Sequence, residues 1–203
     1  MRVEASRARL TAVDSAVHRL LESFDRFPVA AAIRRAEDLP RALASPVPAV
    51  FFLRAPAFHI GPLVWAAQAR GKKVFVHIDL VAGLGKDHAG VAFLTREIGV
   101  NGIISSHSGL IAAAKADRVI AIQRLLLHDD LVLPQVLHAI ERAEPDIVEV
   151  LPGVVFPEMV FGLRERIAVP MLAGGFIETQ EQARAAVAAG ARAVTTSSQG
   201  LWA

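Results

Sequence analysis

The chain has no cysteine, so disulfides, thiolate nucleophiles and cysteine-ligated metals are excluded. Tyrosine is also absent, and aromatic residues make up only 6% of the sequence, two of them tryptophan. A surface built to stack unpaired bases is therefore not signalled. No run of eighteen apolar residues occurs without interruption, which leaves no candidate membrane span. Residues Met1 to Arg9 lack the apolar stretch of a secretory signal and include Glu4, so the expected location is the cytoplasm. Lysine is scarce, with 4 of the 22 basic residues. The formal charge is only +2, which neither demands nor forbids a nucleic-acid partner.

What the chain does have is aliphatic bulk. Hydrophobic residues reach 53% and the mean hydropathy is +0.41, as expected where parallel strands are buried on both faces. A length of 203 residues fits one core. Apolar runs at 29–33, 49–53, 74–79, 102–105, 119–124, 147–151, 170–173 and 193–196 alternate with helical patterns. Eight strands in βα alternation predict an α/β fold, a short (β/α)8 TIM-like barrel. Residues 8–26 carry a helical stripe of Leu10, Val13, Val17, Leu20, Leu21 and Phe24. The expected division is an N-terminal helical extension over 1–27 and a ligand-sensing barrel over 28–203. Seven residues follow the eighth strand, too few for an eighth helix after it. The exposed flank is expected to be covered by the N-terminal helix or by a second subunit, which predicts a homodimer.

In this fold active sites lie at the C-terminal ends of the strands, and the last two βα loops form a phosphate site. Here those loops begin with Gly174-Gly175 and with Thr195-Thr196-Ser197. Glycines let backbone N–H groups approach phosphate oxygens, and the hydroxyls add donors. The same rule selects Asp79, Arg124 and Glu149, which stand at or near strand ends, and Lys86 in the Gly-containing loop after strand three. Each has a plainer reading. Asp79 can cap a turn, Arg124 and Glu149 can pair with each other, Lys86 can be a solvated residue at a helix start, and His77 can be a core histidine. His18, His59, His88, His128 and His138 show no metal-ligand spacing with carboxylates, so no metal site is expected.

The blocks His77-Ile-Asp-Leu80, Gly102-Ile-Ile-Ser105, Ala121-Ile-Gln-Arg124, Val148-Glu-Val-Leu-Pro-Gly153, Ala173-Gly-Gly-Phe-Ile177 and Ala193-Val-Thr-Thr-Ser197 occur in this order. Together they resemble the glycerol-3-phosphate responsive antiterminator family, over roughly residues 28 to 202. The resemblance implies a flattened barrel that binds glycerol-3-phosphate, or a related triose phosphate, without a further cofactor. It implies a regulator rather than an enzyme, whose liganded form binds an mRNA leader and prevents early termination in glycerol uptake genes. On that pattern the phosphate lies on Gly174, Gly175, Thr195, Thr196 and Ser197. The glycerol hydroxyls meet Asp79 and Glu149, and Arg124 and Lys86 bring positive charge. Two positions depart from it. His107 and Glu178 stand where the family usually has arginine, so two cations are lost at the ligand face.

Two other readings remain open at this point. One is an isomerase- or lyase-type barrel enzyme acting on a small phosphorylated metabolite, with Asp79 and Glu149 as acid and base. The other is a metabolite sensor that acts on a protein partner.

Overall fold

Short runs of β-branched and small apolar residues, each closed by a turn, become parallel strands here because both of their faces are buried. In the computed structural model, which describes residues 2–127 and 133–203, the strands are β1 (Val29–Ile33), β2 (Ala49–Phe52), β3 (Lys73–His77), β4 (Gly102–Ser105), β5 (Ile120–Leu126), β6 (Ile147–Leu151), β7 (Met171–Gly174) and β8 (Val194–Thr196). They pair in sequence order, and β8 pairs with β1, so the sheet is a closed barrel. The outer helices are α2 (Leu39–Ala44), α3 (Ala57–Ala69), α4 (His88–Ala92), α5 (Ser108–Ala116), α6 (Leu133–Ala143), α7 (Phe156–Arg164) and α8 (Gln180–Ala188). This is the TIM-like architecture read from the sequence. His128 lies outside the described residues.

Two strand ends differ from the expectation by two residues, and one of them matters for the site. β3 stops at His77, because residues 78–80 curl into a 3-10 turn. Asp79 therefore sits in that turn rather than on the strand. β5 runs on to Leu126, whose side chain is exposed.

Alternation divides each strand between two cores. Outward residues such as Val50, Val76, Ile103 and Val148 pack under the helices. Inward residues such as Phe51, Phe75, Ile104, Ile122 and Leu172 fill the barrel. Phe51 and Phe75 meet there with ring centroids 5.0 Å apart and planes inclined at 52°, a favourable tilted arrangement.

The N-terminal helix α1 (Arg2–Arg26) belongs to the inner core. Leu20 and Phe24 are fully buried among the barrel-interior residues at the strand starts, including Ala30, Ala49, Ile120 and Ile147. Asp25 at its end accepts a hydrogen bond from Arg192, just before β8, at 2.6 Å. The helix thus closes the N-terminal end of the barrel instead of covering the β8–β1 flank. That flank is covered by the chain after β8. Trp202 is buried, and its indole N–H donates to the Thr196 carbonyl at 3.0 Å. Gln199 donates to the Asp38 carboxylate at 2.8 Å, tying the same segment to the turn after β1.

Candidate ligand site at the barrel mouth

The sequence leaves polar side chains at the C-terminal ends of otherwise apolar strands, so the open end of the barrel becomes a polar pocket of about 670 Å³. Its wall is formed by Ala32 and Arg34 at the end of β1, Leu53 after β2, Arg124, Glu149 and Leu151 on β5 and β6, the loop 175–178, and residues 195–198 at and beyond the end of β8. The floor is an ionic network. Arg124 and Glu149 are register partners on adjacent strands, and the arginine Nε–H donates to the carboxylate at 2.7 Å. The other carboxylate oxygen accepts the Thr195 hydroxyl proton.

Glu149 and Thr195 lie on strands separated by β7, and they meet because Gly174 stands between them. A Cβ on Gly174 would come within 2.5 Å of the Thr195 hydroxyl oxygen and 2.7 Å of Glu149 Oε1. Gly174 is thus required by the network beneath the pocket and is not part of its wall. Gly175 is in the wall, and its φ of +87° is the left-handed conformation that glycine tolerates at least cost.

The two threonines do not offer their protons to the pocket. Thr195 uses its proton on Glu149, and Thr196 donates to the Ile177 carbonyl at 2.6 Å. Thr196 also accepts the Ser198 N–H at 2.9 Å, so it fastens the β7 loop to the β8 loop. Among the described residues, the Ser197 hydroxyl lines the pocket without a protein partner. Glu178 also lines the pocket, at its exposed edge, and its backbone N–H is held by Gln182 at 2.8 Å.

Asp79 and Lys86 are outside the wall. The Asp79 carboxylate accepts from the Ser105 hydroxyl at 2.6 Å and the Ser106 N–H at 2.8 Å, which ties the loop after β3 to the loop after β4. Lys86 is exposed on the loop before α4. His107, the residue before α5, is exposed as well, with its N–H held by Ser105 at 3.0 Å. Of the nine residues selected from the sequence, six line one pocket: Arg124, Glu149, Gly175, Thr195, Thr196 and Ser197.

Sequence reasoning missed Arg34. It follows β1 directly, the position the strand-end rule selects, and it faces the pocket. The pocket holds two arginines, and Glu149 already neutralises one of them. Among the described residues Arg34 has no carboxylate partner, so it is the cation free to meet an anion.

Below this network lies His77, buried at 3% exposure on the inner face of β3. Neither ring nitrogen has a hydrogen-bond partner, and the nearest carboxylate oxygen, on Asp79, is 4.0 Å from Nε2. Burial, helped by the Arg124 charge, pushes its pKa down to about 4, against the opposing pull of Asp79 and Glu149. The imidazole is neutral at pH 7.

The profile of the glycerol-3-phosphate responsive antiterminators matches residues 29–202. The chain belongs to this family. Antiterminator relatives of known structure share the fold closely. The glycerol uptake operon antiterminator regulatory protein of Listeria monocytogenes is 38% identical, with a TM-score of 0.83 over 87% of this chain and 95% of that one. A glycerol uptake operon antiterminator-related protein of Thermotoga maritima is 29% identical, with a TM-score of 0.76 over 86% and 96% of the two chains. An uncharacterized protein of Escherichia coli K12, YgcP, is 30% identical over 183 residues, 90% of this chain and 95% of its own length. More distant barrels, among them a deoxyribose phosphate aldolase of Aeropyrum pernix at 18% identity and TM-score 0.66, share the fold alone. Antiterminator membership supports a regulator of glycerol uptake genes. No helix among the described residues is long and apolar enough to cross a membrane.

Proposed function

We propose that this chain senses glycerol-3-phosphate, or a closely related triose phosphate, and that its liganded form binds an mRNA leader and prevents early termination. The observation that carries the reading is the distribution of charge in the mouth. Among the described residues Arg124 and Glu149 neutralise each other, Arg34 stands without an ion-pair partner beside Gly175 and Ser197, and the Glu178 carboxylate is at the pocket's exposed edge. That arrangement suits one small anionic head group with a polyol tail, with the phosphate on Arg34, Gly175 and Ser197. An arginine fork matches phosphate oxygens in pairs, and an open glycine backbone lets them approach.

The same geometry argues against turnover. Acid–base catalysis on a triose phosphate needs two titratable groups facing one substrate. Asp79 is committed to Ser105 and Ser106 outside the pocket, and Glu149 is held by Arg124 and Thr195. Neither is placed as a free proton carrier.

Titration calorimetry with glycerol-3-phosphate, glycerol, inorganic phosphate and dihydroxyacetone phosphate tests the reading. Saturable binding of glycerol-3-phosphate, weaker binding of its fragments, and loss of binding in Arg34→Ala and Gly175→Asp are expected. Absence of binding to every one of the four overturns the sensor assignment.

A further inference from the structure

Beside the mouth, beyond the ends of β1 and β2, lies a second groove of about 410 Å³. Its polar wall is basic. Arg34 and Arg35 follow β1, Arg54 follows β2, and His59 stands in the first turn of α3. All four side chains are exposed. Glu37, the carboxylate in this wall, lies 3.5 Å from Arg35. Among the described residues neither Arg34 nor Arg54 has a carboxylate partner. The N-terminal end of α3, with no side-chain cap, opens onto the same groove and adds the positive end of its dipole. Phe58, next to His59, is 89% exposed. Arg34 lines this groove and the mouth pocket alike.

We propose that this groove takes the sugar–phosphate backbone of single-stranded RNA on Arg35 and Arg54, next to the anion that Arg34 meets in the mouth. The inference rests on the RNA-binding reading above and names its surface. Arginines on an exposed rim carry forks that fit phosphate oxygens. Phe58, the residue before His59 on α3, offers a solvent-facing ring on which a base can stack. Any change the ligand makes in RNA affinity, RNA makes in ligand affinity by the same factor.

The test is fluorescence anisotropy with a labelled, mixed-sequence single-stranded RNA across a salt series, with and without glycerol-3-phosphate. The key variant is Arg35→Ala/Arg54→Ala, since neither residue lines the mouth pocket and glycerol-3-phosphate binding should be unchanged in it. Arg142→Ala, on α6 at the opposite end of the barrel, is the control. The double variant should bind RNA about tenfold more weakly at low salt. The slope of log K against log salt should become shallower by about 0.7 for each phosphate that is no longer neutralised. Arg142→Ala should match the wild type. If the wild type binds RNA and the double variant binds it equally well, the groove is wrong while RNA binding stands. If the wild type binds no RNA with or without glycerol-3-phosphate, the RNA reading falls and the groove assignment with it. Displacement by polyglutamate as readily as by unlabelled RNA assigns the groove to an acidic peptide and overturns the proposal.

Discussion

Arg124 and Glu149 face each other in register on β5 and β6, joined by a 2.7 Å charge-assisted hydrogen bond at the floor of the mouth. Glu149 is 1% exposed and Arg124 13%, so the pair is largely withdrawn from water. Removing one member leaves the other charged and unpartnered. Glu149→Ala should therefore lose about 3–5 kcal/mol of stability, and Arg124→Met/Glu149→Met should recover much of that loss. Urea unfolding of the three proteins measures it. A loss below about 1 kcal/mol in the single variant would mean that solvent screens the pair as it does on a surface.

His77 gives the fold an acid limit. Its pKa falls from 6.5 to about 4 on folding, so the folded state favours the neutral ring. That contribution is fully present above pH 6.5 and is lost as pH drops towards 4. The loss amounts to roughly 3 kcal/mol at about 1.4 kcal/mol per unit. His77→Leu should flatten the stability curve across this window. An unchanged slope in the variant would assign the acid sensitivity to other groups.

Two glycines should respond in opposite directions to alanine. At Gly153 a Cβ would lie 2.6 Å from the Gly174 nitrogen and 2.8 Å from the Ala173 carbonyl carbon, both backbone atoms of β7. Gly153 begins the 3-10 turn after β6, so Gly153→Ala must push that turn away from β7, and its melting temperature should drop sharply. At Gly162 in α7 nothing lies within 4 Å of the new atom. Gly162→Ala should gain roughly 0.5–1 kcal/mol from helix propensity. Equal effects at the two sites would contradict the close approach of the Gly153 turn to β7.

Phe24, with Leu20, anchors α1 in the end of the barrel. Phe24→Ala should cost about 3–5 kcal/mol, as large-to-small changes in a core do. The exposed Asp14→Ala on the same helix should change little. Chemical denaturation of both variants checks the contrast.

The barrel was legible because buried parallel strands leave short aliphatic runs at regular intervals, and all eight runs became strands. The stripe of Leu20 and Phe24 revealed a helix with one buried face, but periodicity does not say what that face meets. Its docking beneath the strands depends on residues far away in sequence, such as Ile120 and Ile147. The site was readable where a polar residue interrupts an apolar strand, as Arg124 and Glu149 do. It was misread where hydrogen bonds decide. Thr195 and Thr196 look like phosphate donors in the sequence, but their protons are spent on Glu149 and the Ile177 carbonyl. Asp79 looks like a strand end, but the turn at 78–80 carries it to Ser105. Arg34 was legible in principle. It follows β1 directly, but the adjacent Arg35 makes the pair look like an ordinary solvated turn.

The pairing of β8 with β1 has a consequence for the timing of biosynthesis. The pocket wall draws on Arg34 near one end of the chain and on residues 195–198 near the other. A nascent chain that has not yet made β8 has neither a closed barrel nor the second half of the pocket wall. On the sensing role proposed above, ligand binding begins only after the eighth strand leaves the ribosome, and a chain ended before it lacks half of the pocket wall.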